Sequence, residues 1–148
     1  MTAAPIHLLL ADDDKDDCMF FEEAIEELPF TVELTTVNDG EQLLNLLSRK
    51  TSELPNVLYL DLNMPRKNGL ECLTEIKGND ELKDIPVIIY STSYDPDMVS
   101  QLYDKGAQYY FRKPAEFYQL KKVILKSLTL SFQAVHSQPE KQHFIIQP

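Results

Sequence analysis

Val57-Leu58-Tyr59-Leu60-Asp61-Leu62-Asn63-Met64-Pro65 is a short apolar run that stops on a carboxylate and passes into a turn. A run this short and without alternation fits a strand buried on both faces, and such strands belong to parallel sheets covered by helices. The same pattern recurs along the chain. Ile6–Ala11 leads to Asp12-Asp13, Val87–Tyr90 to Ser91, and Tyr109–Phe111 to Lys113. Neighbouring parallel strands would bring these carboxylates, a hydroxyl and one ammonium to a single sheet edge.

Helical patterns separate the runs. Asp16–Leu28 carries Phe21, Ala24, Ile25 and Leu28 on one stripe before Pro29. Thr31–Val37 alternates as a half-buried strand, and Asp39 can cap a helix bearing Leu43, Leu44 and Leu47. Asn68–Lys77 spaces Leu70, Leu73 and Ile76 by three, Asp97–Lys105 ends at Gly106, and Gln108–Phe111 forms a short fifth strand. Glu116–Ser131 closes the pattern, with Phe117, Leu120, Ile124 and Leu128 inward. Five such units predict an α/β fold, a flavodoxin-like (βα)5 three-layer sandwich. The alternating second strand and the short fifth read as edges, which gives the parallel order 2-1-3-4-5. Strands one and three then flank the topological switch point, where Asp12, Asp13 and Asp61 converge.

Residues 1–131 are expected to form this domain and residues 132–148 a tail without an output domain. Phe144-Ile145-Ile146 stands out in that otherwise polar tail, and is expected to dock on an apolar surface of this chain or of a second subunit in a homodimer.

With 148 residues and 43% hydrophobic content the chain can fold as one domain. A net charge of −10 argues against nucleic-acid binding, because phosphate backbones require clustered Lys and Arg. A basic protein partner is expected instead, on the face carrying Asp12–Asp17, Glu22, Glu23, Glu26 and Glu27, although those glutamates also fit a solvated helix face. The sequence contains neither a membrane-length apolar run nor a signal-peptide pattern, so a cytoplasmic location is expected. Cys18 and Cys72 are too sparse for a disulfide framework or a zinc site.

Three carboxylates within about 5 Å repel by roughly 3 kcal/mol per pair at an effective dielectric near 20, so the cluster calls for a cation. Mg2+ suits so sparse an oxygen site. Asp13 would bind it directly, Asp12 directly or through water, and Asp61 and the Asn63 backbone carbonyl would complete the protein ligands. A carboxylate beside such a metal can accept a phosphoryl group, and Asp61 stands alone at its strand end to do so. Lys113 and Ser91 supply a charge and a hydroxyl donor for phosphoryl oxygens. Taken singly, each residue has a plain structural explanation, in a solvated lysine, a helix cap or a loop aspartate. Their collection at one edge does not.

Leu9-Leu10-Ala11-Asp12-Asp13-Asp14, Tyr59–Pro65 with Gly69, Pro86–Ser91, Gly106-Ala107 and Lys113-Pro114 together resemble the receiver domain of two-component response regulators. The resemblance covers about residues 5–131. It implies a stand-alone response regulator of a two-component or phosphorelay system, a signalling phosphoprotein and not an enzyme. Its partners would be a sensor histidine kinase or a histidine phosphotransfer protein, which donates to Asp61 with Mg2+, and a downstream protein target. The resemblance also implies a cis Lys113-Pro114 peptide and a switch made of Ser91, Thr92 and Tyr110. Thr92 stands where the family usually has a small residue, so it is expected to crowd the approach of water.

Three rival readings are weaker. Asp12, Asp14, Asp16 and Glu23 imitate an EF-hand register, but Asp17 occupies its glycine position. An aspartate-nucleophile phosphatase needs a second acid where this chain has Asn63. A receiver-like scaffold that is never phosphorylated would not need the acidic pair, Asp61, Ser91 and Lys113 together.

Overall fold

A computed structural model of the protein describes residues 5–49, 53–133 and 138–148. Its first strand, β1 (Ile6–Ala11), pairs in parallel with both β2 (Val32–Val37) and β3 (Val57–Asp61). β4 (Val87–Ser91) joins β3, and β5 (Tyr109–Arg112) joins β4, giving the expected order 2-1-3-4-5. β3 and β4 are buried along their whole length, as unbroken apolar runs require, whereas β2 alternates towards solvent.

Four of the helices begin where a polar side chain accepts orphan backbone N–H groups. Asp14 caps α1 (Lys15–Glu26), Asp39 caps α2 (Gly40–Leu47) and Asp95 caps α4 (Pro96–Asp104). Asn68 and Glu71 cap α3 (Gly69–Lys77) reciprocally. The α1 stripe ends sooner than the expected limit set by Pro29, because Glu27 already closes the last turn. α4 stops before Gly106, whose φ of 103° is a left-handed conformation that favours glycine. α5 (Phe117–Gln133) runs two residues further than the stripe ending at Ser131.

Two apolar layers result. Leu9, Leu58, Leu60, Val87 and Ile89 face α2, α3 and α4, while Leu8, Leu10, Tyr59, Tyr90 and Phe111 face α1 and α5. Alternation along each strand also fixes where its end residue points. Asp12, Asp61, Tyr90 and Lys113 share the parity of the α1/α5 layer.

The tail does not leave β5 as an open edge. Phe144 and Ile146 are buried in this same chain, so the tail's apolar residues need no second subunit to cover them. The Tyr110 N–H donates to the Phe144 carbonyl at 3.0 Å, and the Ile146 N–H to the Tyr110 carbonyl at 2.8 Å. Phe144 meets Tyr103 of α4 edge to face at 5.2 Å, and Gln138 donates to the Tyr103 and Ala107 carbonyls at 2.7 Å each. The expectation for residues 134–137 falls outside the described residues.

Candidate functional site

The carboxyl ends of β1 and β3 carry the acidic cluster. Carboxylate oxygens of Asp12, Asp13 and Asp61 all lie within 4.8 Å of one another. Asp13 is exposed, while Asp12 is fully buried and Asp61 is 4% exposed. Behind Asp61 the chain folds back tightly, with the Gly69 N–H donating to the Leu62 carbonyl at 2.9 Å. A Cβ at Gly69 would stand 2.6 Å from the Asp61 carbonyl oxygen, so the close approach excludes any side chain there. Arg66 takes a φ of 71° in the same turn and reaches Asp39 of the α2 cap at 3.5 Å.

Lys113 enters from the end of β5, where its N–H extends the ladder to the Ser91 carbonyl at 2.8 Å. Its Nζ lies 3.1 Å from Asp12 Oδ2, 2.8 Å from Asp17 Oδ2 and 3.4 Å from Asp61 Oδ2. Burial alone would lower the lysine's pKa, but the Asp17 hydrogen bond and the charges of Asp61 and Asp12 outweigh it and hold the pKa above its usual value. Burial pushes Asp61 up to about 7; Lys113 opposes that rise, and the charge of Asp12 adds to it. The site therefore carries surplus negative charge that one ammonium does not cancel.

Such a donor set, three carboxylates open to solvent on the Asp13 side, fits a hard oxygen-seeking cation. Asp12, Asp13, Asp61 and the Asn63 carbonyl remain the residues that could hold it. Among the protein's own contacts, the Asn63 N–H donates to Asp61 Oδ1 at 3.3 Å.

Ser91 lies fully buried at the same edge, but its Oγ accepts from the Ser93 N–H at 3.3 Å. Thr92 is exposed in the following loop. Tyr110 is already turned inward, with its hydroxyl donating to the Ser93 carbonyl and its ring 6.3 Å from that of Tyr94. The Lys113-Pro114 peptide is trans, contrary to the cis bond that the resemblance implied, because no described peptide is cis. The trans form is also the one an X–Pro bond favours.

Two members of the site were not anticipated. Asp17 is one, and the spacing from the Asp14 cap puts it in the first turn of α1, facing back to the strand ends. Tyr90 is the other: its hydroxyl donates to Asp12 Oδ2 and its ring lies 4.6 Å beneath Lys113 Nζ. The signal was available in its strand parity, and in the rule that a buried tyrosine hydroxyl must find a partner. The acidic face also contracts. Asp12 is buried, Asp17 is paired and Asp14 caps α1, which leaves Asp13, Asp16 and the four glutamates of the α1 region at the surface.

A five-stranded parallel sheet with acids at its switch point and a lysine just past the end of β5 defines a class of signalling domain, and comparison identifies it. The response regulator receiver domain model matches residues 8–125. The chain belongs to that family, and is thus a receiver domain of two-component systems. It is 34% identical over 124 residues to response regulator Rcp1 of Synechocystis sp., an alignment covering 81% of this chain and 84% of the relative. The crystal structure of the phosphorylated cyanobacterial phytochrome response regulator RcpA superposes with a TM-score of 0.79 at 32% identity, covering 93% of this chain and all of that one (100%). The Mn2+-bound form of Rcp1 gives a TM-score of 0.77 at 31% identity, covering 91% and 99%. Among the described residues no helix is long and apolar enough to cross a membrane.

Proposed function

We propose that this chain is a cytoplasmic response regulator that accepts a phosphoryl group on Asp61 and signals through protein contact. The observation that carries the reading is the convergence on Asp61 of two further carboxylates within 4.8 Å and of Lys113 Nζ at 3.4 Å. In the transfer, a phosphohistidine P–N bond breaks as a P–O bond to Asp61 forms, and the imidazole leaves as a neutral ring once protonated. Mg2+ held by Asp12, Asp13, Asp61 and the Asn63 carbonyl would neutralise charge on the phosphoryl oxygens. Asp61 must enter as the carboxylate, so its raised pKa is a handicap that the cation and Lys113 offset. Lys113 then exchanges part of its hold on Asp12 and Asp17 for a phosphoryl oxygen.

The donor would be a sensor histidine kinase or a histidine phosphotransfer protein, and the likeness to RcpA makes a phytochrome-class kinase the first to try. Ser91 drawn toward the phosphoryl group would disturb its contact with Ser93, whose carbonyl also holds the Tyr110 hydroxyl. That chain of contacts supports a switch through Ser91, Thr92 and Tyr110 to the α4–β5 face. Residues 1–131 act in this reading as the receiver and residues 132–148 as its tail, of which residues 138–148 cover the same face. No homodimer is required for it.

Incubation with a small phosphodonor and Mg2+ should add one phosphoryl group by intact-mass measurement, and Asp61→Asn should abolish the addition. Undiminished labelling of that variant sinks the assignment. Followed over time, Thr92→Ala should lose the group several times faster than the wild type, since a smaller side chain admits water; an equal or longer lifetime removes Thr92 as a shield.

A further inference from the structure

We propose that Tyr90 is a positioning residue of the acidic cluster, holding Asp12 in place for a divalent cation; this rests on the reading of the cluster as a cation site. Tyr90 occupies the last apolar position of β4, paired in register with Asp61 on one side and Phe111 on the other. Its ring packs at 6.0 Å from Phe21 and 5.7 Å from Phe111, in a layer where a phenylalanine would serve equally for packing. The hydroxyl is what packing does not explain. It donates to Asp12 Oδ2, which also accepts Lys113 Nζ at 3.1 Å.

A carboxylate oxygen offers about two lone-pair sites, so Oδ2 is filled by the tyrosine and the lysine. Asp12 Oδ1 accepts the Asp14 N–H at 3.0 Å, so both carboxylate oxygens are held by the protein. Tyr90 and Lys113 together therefore fix the orientation of the Asp12 carboxylate. Lys113 stands over the Tyr90 ring at 4.6 Å, so the same side chain also supports the ammonium from below. When Lys113 gives up its hold on Asp12 for a phosphoryl oxygen, the tyrosine hydroxyl remains as the donor that keeps buried Asp12 from standing as an uncompensated charge.

Tyr59 provides an internal control. It is a buried tyrosine in the same layer, 4.9 Å from Phe21, but its hydroxyl pairs with Ser127 Oγ at 2.5 Å, remote from the cluster. Titration of the full chain with Mg2+ by calorimetry should show Tyr90→Phe weakening the dissociation constant about tenfold, the usual scale for removing an outer partner of a metal ligand. Tyr59→Phe should change it less than twofold. In the wild type, the 13C resonance of the hydroxyl-bearing ring carbon of Tyr90 should shift along the Mg2+ binding curve while that of Tyr59 stays still. This second measurement decides the matter even if Tyr90→Phe does not fold. Wild-type affinity in Tyr90→Phe, or a silent Tyr90 carbon during Mg2+ binding, overturns the proposal and leaves the cation site standing. No Mg2+ binding by the wild type overturns both.

Discussion

Asp61 sits where burial and Asp12 oppose its charge, and this has a thermodynamic signature. Burial, with the charge of Asp12, raises its pKa in the folded protein to about 7 from the ordinary aspartate value of 3.8. A raised carboxyl pKa contributes stability that is complete below the unfolded value and is lost as pH rises through the folded one. Metal-free protein should thus lose stability relative to Asp61→Asn between pH 5 and pH 8, by about 2 kcal/mol. Thermal melts of both proteins in chelator check this, and a stability difference that stays constant across that range would contradict it. Mg2+ should reverse the loss in the wild type only. At this scale the sequence showed Asp12, Asp13, Asp61 and Lys113, because each follows a recognisable apolar run. It hid Tyr90 and Asp17, because residues that look like core and helix surface acquire their role only from what lies opposite.

At the scale of elements, β5 and the tail form one unit. β5 is short and would present an unpaired edge, a template for unwanted pairing. Residues 144–146 close it through two backbone hydrogen bonds to Tyr110, while the Lys141–His143 turn lays Lys141 Nζ 2.7 Å from Ser100 Oγ of α4. Phe144 is buried at this contact, only 1% exposed. Phe144→Ala should destabilise the protein by about 3 kcal/mol, in the range of buried aromatic truncations. Chemical denaturation measures it, and a cost below about 1 kcal/mol would mean that the tail is only loosely held. The sequence flagged Phe144-Ile145-Ile146 as out of place in a polar tail. Which surface it covers depended on how α4 and β5 sit together, and no local pattern encodes that.

For the molecule as a whole, the site and the α4–β5–tail face are joined through few atoms. Ser91 bonds to the Ser93 N–H, the Ser93 carbonyl holds the Tyr110 hydroxyl, and the Tyr110 backbone holds Phe144 and Ile146. A beryllofluoride phosphate mimic with Mg2+ should therefore shift amide NMR signals from Asp61 as far as Tyr110 and Ile146. Shifts confined to the neighbourhood of Asp61 would show that no relay exists. By itself the sequence determined the five βα units, the strand order and the chemistry gathered at the strand ends. Burial on two faces demands continuous apolar runs, a helix demands a 3.6-residue stripe and caps, and both requirements are local. Only the tertiary structure decided that Tyr90 serves Asp12, that Asp17 shares Lys113, and that the tail closes β5 against α4. Those are contacts between residues 34 to 96 positions apart in the chain, where the free energy of a hydrogen bond or a buried ring depends on a partner that the local sequence does not specify.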